Sequence, residues 1–542
     1  MTKMFCNQCE QTAKGTGCTV CGVCSKEPLA ANTMDAMIYA LRQNALVALE
    51  ARSVGIIDSK YDMLSANCLF TTLTNVNFDE HVLKDYLHKI ITARKSLLLQ
   101  IAEKKGKKAE KSDLDIEDFE GFVDKNLNGH RPNQLNENID IQSLMQTTLF
   151  GLKGLCAYIS HANMLDKTNT DIMTFIHEAL SYGYDNKQRT LEEWIQIVKD
   201  VGKWNFETMK LLDEANCTLG NPTPTKVLIG HKKGKCVLVS GHDLFDMKKI
   251  LEQTENTDVL VYSHGEMLPA HGYPELHKYK NFVGHFGTAW FNQQTELLHF
   301  PGPVVFTSNC IMKPKADYID HIYTTNEVGF KGVKHIGENK DFSGVIQKAN
   351  EMKGFEDDEE LDFFLTGFGH HSILETEVAG KIVNLVKEKK VTDIFVIGGC
   401  DGMKKERNYY TEIIKKLPPS SLVITCGCGK YRFYREKLGE IEGIPRLIDV
   451  GQCNDTYTAF VVAIKLAEIF KCGVNELPLH IILSWYEQKA VCILLTVIYL
   501  GLKNVRIGPS PPAYLSPNVF KYLADNLGLK MITTVDNDLA NL

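Results

Sequence analysis

Beyond the segment Asn221-Pro-Thr-Pro-Thr225, seven short apolar runs alternate with helical stretches, and this alternation limits the possible folds more than any other feature of the chain. The runs are CVLVS at 236–240, DVLVYS at 258–263, GPVVFTS at 302–308, DIFVIGG at 393–399, SLVIT at 421–425, PRLIDVG at 445–451 and LHIILSWY at 479–486. Continuous β-branched runs of this length read as strands buried on both faces, which requires parallel sheets covered by helices on each side. The chain before them has another texture. Helical patterns run over Pro28–Ser53, Glu80–Ala102, Ile141–Asn163 and Leu191–Glu214, with almost no strand-like run between them. Two prolines in four residues then stop the helices and mark a linker. The expected fold is a multidomain α + α/β chain. An all-α helical-bundle domain occupies 1–221, and two doubly wound (Rossmann-like) parallel-sheet α/β domains occupy 235–365 and 366–542, with the linker 222–234 packing on the last of them.

Length agrees with this division, because 542 residues at roughly 100–200 per domain leave room for about three cores. The balance of 60 Lys+Arg against 67 Asp+Glu gives −7, so no net charge draws the chain to nucleic acid or to an anionic membrane. A small soluble substrate is the expected ligand. The basic run KKGKKAEK in the polar stretch Lys104–Asp140 passes directly into the acidic DLDIEDFE, which reads as a solvated loop or exposed helix. The most apolar stretch, Ala490–Leu502, is too short for a membrane span and reads as a buried helix. The first cysteine cluster starts at Cys6 and leaves no room for a targeting segment, so a cytoplasmic location is expected.

Each of the seven strand candidates ends at, or within a few residues of, a residue able to bind metal: His242, Glu266, Cys310, Cys400, Cys428, Cys453 and Glu487. In open α/β sheets ligands bind beyond the carboxyl ends of the strands, so these seven residues are expected to share one site. Four thiolates, one imidazole and two carboxylates are too many and too mixed for one tetrahedral zinc. A multi-iron centre bearing both sulfide and oxygen suits them better, and its oxygen and nitrogen side can leave an iron open to substrate.

A second cluster lies at the N-terminus in FCNQCEQTAKGTGCTVCGVCSKEP, where Cys6, Cys9, Cys18 and Cys24 follow a C-x2-C-x8-C-x5-C spacing and Cys21 adds a fifth thiol. This spacing suits a [4Fe-4S] cluster, a structural zinc or, least well, a disulfide. Cys18, Cys21 and Cys24 also imitate a ferredoxin run, but no further cysteine follows at ferredoxin spacing. The cysteines at 68, 156, 217, 236, 472 and 492 fall in helical or strand patterns and read as packing residues.

FCNQCEQTAKGTGC, SGHDLFD, YSHGEMLPAHGYPEL, TSNCIMKP, IGGCDGM, CGKYRF, GQCNDTY and WYEQKAV, in that order, closely resemble the hybrid-cluster proteins, also called prismane proteins or hydroxylamine reductases. The resemblance covers essentially the whole chain and is of the full-length type. It implies that Cys6, Cys9, Cys18 and Cys24 hold a [4Fe-4S] cluster. It also implies that His242, Glu266, Cys310, Cys400, Cys428, Cys453 and Glu487 hold a hybrid [4Fe-2O-2S]-type cluster, with Cys400 as the persulfide position. Two departures stand out: Cys21 inside the first motif, and Cys426 two residues before Cys428, where only the Cys-Gly-Lys match selects the ligand.

The implied activity is reduction of hydroxylamine to ammonia and water at the hybrid cluster, with electrons relayed through the N-terminal cluster from an external donor protein. Proton donors are expected among Glu487, Lys489, Glu266 and His264, with Glu487 and Lys489 ranked first. Lys489 also reads as a salt-bridging neighbour without a proton role, and His264 as a residue that orients Glu266. His370 and His371, after LTGFG, are expected to line the site without binding the metal. The same clusters also suit nitric oxide reduction, peroxide reduction, persulfide-dependent nitrosation of protein thiols, or a redox sensor without catalysis. Carbon monoxide dehydrogenases share the family's architecture, but no residue here argues for nickel.

Overall fold

The computed structural model describes residues 4–107, 136–375 and 377–542. Most of the polar stretch between 104 and 140 lies outside the described residues.

The N-terminal region consists of helices α1 (Pro28–Ser53), α2 (Ser59–Thr71), α3 (Glu80–Lys104), α4 (Ile139–Met164), α5 (Thr170–Ser181) and α6 (Leu191–Asn216). Short polar side chains set their starts. Asp58, Asp79, Asn138 and Asn169 each accept a hydrogen bond from a backbone N–H of the first turn, and Thr190 forms a reciprocal capping box with Glu193. α1 has no such cap and begins instead at Pro28, whose fixed φ suits the first helical position. The four expected helices are present within a few residues of their expected ends, and α2 and α5 add two shorter ones.

The strands are β1 (Thr225–His231), β2 (Lys235–Ser240), β3 (Val259–His264), β4 (Phe282–His285), β5 (Val304–Phe306), β6 (Ile322–Thr324), β7 (Lys334–His335) and β8 (Glu359–Thr366). They continue with β9 (Asp393–Gly399), β10 (Ser421–Cys426), β11 (Glu440–Ile441), β12 (Ile444–Pro445), β13 (Leu447–Gly451), β14 (Leu479–Ser484), β15 (Val505–Gly508) and β16 (Lys530–Met531). β11 and β12 form a separate hairpin; the other 14 form one sheet in the order β16-β15-β14-β9-β10-β13-β8-β1-β4-β3-β2-β5-β6-β7. Every pairing in this sheet is parallel except β1 with β8, which run antiparallel from Thr225 opposite Thr366 to His231 opposite Glu359. Two separate parallel sheets were the expectation, and the structure corrects it: two parallel halves join edge to edge into one mixed sheet. The joint uses part of the segment expected as a linker. Pro222 and Pro224 do interrupt the helices, but the apolar run that follows them is β1, with its centre buried.

Three later helices position the site: α7 (His370–Leu374), α8 (Thr456–Phe470) and α9 (Gln488–Tyr499). α9 is the apolar stretch too short for a membrane, and every residue from Gln488 to Ile498 is buried. Among the described residues no helix is long and apolar enough to cross a membrane. α9 packs between α4 and α6, so the last half of the sheet is keyed into the helical region. Glycines allow this close approach. A Cβ on Gly202 would lie 2.0 Å from the Leu495 carbonyl oxygen, and one on Gly154 would lie 2.4 Å from that of Gln488. Asn205 Nδ2 donates to Thr496 Oγ1 at 2.9 Å, and Thr496 Oγ1 donates to the Gly202 carbonyl at 3.0 Å, so the seam is also hydrogen-bonded. Gly202→Ala is therefore expected to cost about 1–3 kcal/mol through overpacking against backbone. The check is thermal melting beside Gly344→Ala, whose Cβ meets nothing within 4 Å and should leave Tm unchanged or raised.

Candidate metal centre

The seven residues at the strand ends line one internal cavity. His242 follows β2, Glu266 lies in the turn Gly265–Gly272 after β3, and Cys310 follows β5. From the other half, Cys400 follows β9, Cys428 opens the turn after β10, Cys453 opens the turn after β13, and Glu487 is the N-cap of α9 after β14. The backbone has to leave each strand sharply to present these side chains. At Gly399, just before Cys400, φ is 110° and a Cβ would lie 2.2 Å from the Ser484 carbonyl oxygen. At Gly427, just before Cys428, φ is 74° and a Cβ would lie 2.5 Å from the Gly399 carbonyl oxygen. Glycines with positive φ also precede His242 and Glu266.

The closest donors are His242, Glu266 and Cys453, whose ligand atoms lie within 4.8 Å of one another. Ser308 Oγ stands 2.8 Å from His242 Nδ1 and fixes the ring, while His242 Nε2 lies 3.6 Å from Glu266 Oε2. Glu266 Oε2 accepts from the Cys453 backbone N–H at 2.9 Å, and Gln452 Nε2 donates to the carbonyls of both His242 and Glu266. These bonds tie the two halves of the sheet together across the cavity. Lys489 Nζ donates to Asn309 Oδ1 at 2.8 Å and stands 3.1 Å from His242 Nε2 and 4.0 Å from Glu487 Oε1.

Burial dominates the electrostatics. It pushes the thiols of Cys310, Cys400, Cys428 and Cys453 up, and the carboxyls of Glu266 and Glu487 up, from their ordinary values. Burial, followed by the charge of Lys489, pushes His242 well down, so its imidazole is neutral. Burial alone would lower Lys489, but Cys453 and Glu487 outweigh it and leave Lys489 above its ordinary value. The cavity thus gathers acids that keep their protons until a cation replaces them, together with a neutral imidazole. That is the chemistry of a metal site whose ligands deprotonate on binding, and the donor set fits a multinuclear group.

The structure places the other expected residues as follows. His264 lines the cavity, but its ring nitrogens stand 2.9 Å from Ser240 Oγ and 3.2 Å from Glu296 Oε2. It is therefore held by Glu296 and does not orient Glu266 as expected. His370 and His371 lie on α7 and do not line the cavity; His370 Nδ1 faces Asp213 Oδ1 at 3.5 Å. Cys428 lines the cavity, whereas Cys426 stays in β10 with its sulfur 3.2 Å from Thr456 Oγ1.

Sequence reasoning missed the helical wall. Tyr158 donates to Cys453 Sγ at 3.5 Å, and His161 stacks on His242 with ring centroids 6.0 Å apart. Both residues sit inside α4, where a helical pattern gives no sign of a site. It also missed the tilted pair Trp290 and Tyr486, 4.5 Å between centroids, which line the cavity.

At the N-terminus, Cys6, Cys9, Cys18, Cys21 and Cys24 are free thiols, as are the other cysteines of the chain. Cys6 and Cys18 face each other across a short bridge, with backbone bonds of 3.0 and 2.8 Å. Burial, then the neighbouring Cys6 and Cys24, pushes Cys9 up, and Cys6 is pushed up to about 11, mainly by burial. Cys21 is exposed, and its thiol faces the Lys26 carbonyl at 3.4 Å. Two buried lysines stand beside the group: Lys26 Nζ donates to the Asn77 carbonyl and Lys153 Nζ to Gln8 Oε1. Burial lowers both lysines while the cysteine charges oppose it, an environment suited to an anionic cluster. The loop reaches the inner cavity directly. Glu10 N donates to the Tyr486 carbonyl at 2.9 Å, and Gln488 Nε2 donates to the Gln8 carbonyl at 2.7 Å.

The chain is similar to known proteins over almost its whole length. Hydroxylamine reductase of Syntrophobacter fumaroxidans is 46% identical over 547 residues, covering 99% of both chains. Hydroxylamine reductase of Thermodesulfovibrio yellowstonii is 46% identical over 553 residues, covering 99% of this chain and 100% of that protein. Among solved structures, Carbon Monoxide Dehydrogenase IV from Carboxydothermus hydrogenoformans superposes with a TM-score of 0.59 at 14% identity, covering 99% of this chain and 91% of that one. That likeness concerns the fold, a helical region followed by a large, mostly parallel sheet. With the family match running over residues 4–540 and relatives 46% identical over 99% of its length, the chain belongs to the Prismane/CO dehydrogenase family.

Proposed function

We propose that the chain is a hydroxylamine reductase whose reaction takes place in the cavity between the two halves of the sheet. The observation that carries this reading is the meeting of His242, Glu266, Cys310, Cys400, Cys428, Cys453 and Glu487 in one buried cavity. The relatives named hydroxylamine reductase at 46% identity support the same substrate. The seven residues would hold a hybrid iron–sulfur–oxygen cluster, with Cys400 as its persulfide position, and Cys6, Cys9, Cys18 and Cys24 a [4Fe-4S] cluster. When bound, the iron centre supplies Lewis acidity and electrons for cleavage of the N–O bond.

The chain's own residues bind and protonate. Hydroxylamine reduction consumes two electrons and two protons, and buried ionisable groups at the cavity are placed to supply the protons. Lys489 Nζ, within 4.0 Å of Glu487 Oε1 and 3.1 Å of His242 Nε2, is a cation placed to hand a proton to a departing oxygen and to be recharged through Glu487. Trp290 and Tyr486 present apolar rings to the cavity and restrict it to a small ligand. Electrons would enter from an external donor protein in the cytoplasm and pass through the Cys6–Cys24 loop, which contacts Tyr486 through Glu10.

Anaerobic purification with iron, sulfide, zinc and nickel analysis, followed by turnover with a reduced viologen, tests this reading. The expected result is two distinct iron–sulfur signals and ammonia formed in equal amount to hydroxylamine consumed. A single cubane signal, stoichiometric nickel, or nitric oxide turned over with a far higher kcat/KM than hydroxylamine would overturn it.

A further inference from the structure

The paired histidines that fall outside the cavity meet another set of donors. One carboxylate oxygen of Asp213, the thiol sulfur of Cys217 and one ring nitrogen of His371 lie within 4.8 Å of one another, all three partly buried. Asp213 is in the last turn of α6, Cys217 is its C-cap, and His371 is on α7, so residues remote in sequence converge here. His370 stands beside them, with Nδ1 3.5 Å from Asp213 Oδ1.

We propose that Asp213, Cys217 and His371 form a binding site for one zinc ion, with His370 as the adjacent fourth donor. Three features carry this. The donors are oxygen, sulfur and nitrogen, the mixture that zinc accepts in tetrahedral sites. The carboxyl end of a helix, where α6 offers Asp213 and Cys217, attracts positive charge. Glu375 Oε1 stands 2.8 Å from His371 Nδ1, the carboxylate–imidazole arrangement that fixes a ring for binding metal through its other nitrogen.

Such an ion would pin the end of α6 to α7. The His370 ring also meets Tyr457 edge-on at 5.8 Å, and Tyr457 is in the first turn of α8, the helix that follows the Cys453–Asp455 turn. Zinc here would therefore brace the outer side of the segment that presents Cys453, a structural role separate from the chemistry in the cavity.

The test uses the cluster-loaded protein, purified anaerobically and equilibrated with zinc chloride, with zinc and iron counted on the same sample. The expected result is about one zinc per chain at unchanged iron, with a zinc-edge X-ray absorption spectrum showing one sulfur among nitrogen and oxygen neighbours. Cys217→Ala and His371→Ala should abolish this zinc, and Glu375→Ala should weaken its binding by about 10–100-fold. Melting of the variants without zinc, compared with the parent without zinc, reports whether they fold. Zinc absent from the parent at full iron content, or retained by the Cys217→Ala/His371→Ala double variant, overturns the proposal. Loss of zinc with hydroxylamine turnover intact leaves it standing, because the site does not depend on the activity proposed above.

Discussion

Glu487→Ala is expected to reduce hydroxylamine turnover by about 10³-fold or more, while the N-terminal iron–sulfur spectrum is retained. Glu487 is buried, lines the cavity, and sits at the point where β14 gives way to α9. Its side chain accepts from the Lys489 backbone N–H at 2.8 Å and holds the Lys489 ammonium at 4.0 Å. The substitution removes one donor of the proposed metal site and the group proposed to recharge Lys489. It also removes a helix cap, but that costs only about 1 kcal/mol and falls on a helix buried along its whole length. The fold should therefore survive, and melting curves check this. Glu487→Gln separates the roles: it keeps a side-chain oxygen for the cap and loses the ionisable group, so its melting should match the parent while its turnover falls as in the alanine variant. Full activity in Glu487→Ala, measured as ammonia formed under anaerobic conditions, would remove Glu487 from the site.

The site was legible because its residues occupy one repeated position. Strand after strand ends in a metal-capable side chain, and a parallel sheet brings such ends to one edge. The turns that present them are written too, in the glycine before His242, Glu266, Cys400 and Cys428, although that signal is useful only once the strands are known. Residues that act from the side were not legible. His161 and Tyr158, in the last two turns of α4, touch His242 and Cys453 of the cavity wall, and nothing in a helical pattern separates a residue that packs on a site from one that packs on a core. His264 was visible, but its partner Glu296 lies 32 positions later at the end of a four-residue helix, so the contact between them is tertiary and has no local signal.

The junction of the sheet shows another limit. β1 and β8 pair antiparallel although 141 positions separate Thr225 from its partner Thr366, and no local rule announces such a partner. Prolines at 222 and 224 truthfully mark the end of the helices, yet they say nothing about whether the next residues form a linker or a strand. The N-terminal motif is local in sequence, and its Cys9 lies near enough to Cys6, Cys18 and Cys24 to feel their charge. Cys21 is exposed beside them, which the spacing alone does not encode.

Cys9→Ser is expected to lower turnover with an external electron donor by about 100-fold while the inner centre still assembles. Cys9 is buried beside Cys6 and Cys24, with Lys26 and Lys153 supplying positive charge to the same pocket. Serine is close to cysteine in size but is a poor thiolate replacement, so the substitution weakens metal binding there without opening a large void. None of the seven inner donors lies on this loop. The loop nevertheless leans on the inner site, since Glu10 N bonds the Tyr486 carbonyl and the buried Glu10 carboxylate faces Arg407 at 3.3 Å. Arg407 in turn donates to the Cys400 carbonyl and to the Trp485 carbonyl, so Glu10 and Arg407 form a bridge that survives loss of the Cys9 thiol. Paramagnetic resonance during stepwise reduction reads the two centres separately. The expected result is loss of the cubane signal, retention of the inner signal, and a rate limited by electron entry. Failure of the inner centre to assemble in Cys9→Ser would mean that the loop builds both sites together, and the division between electron entry and reaction would have to be abandoned.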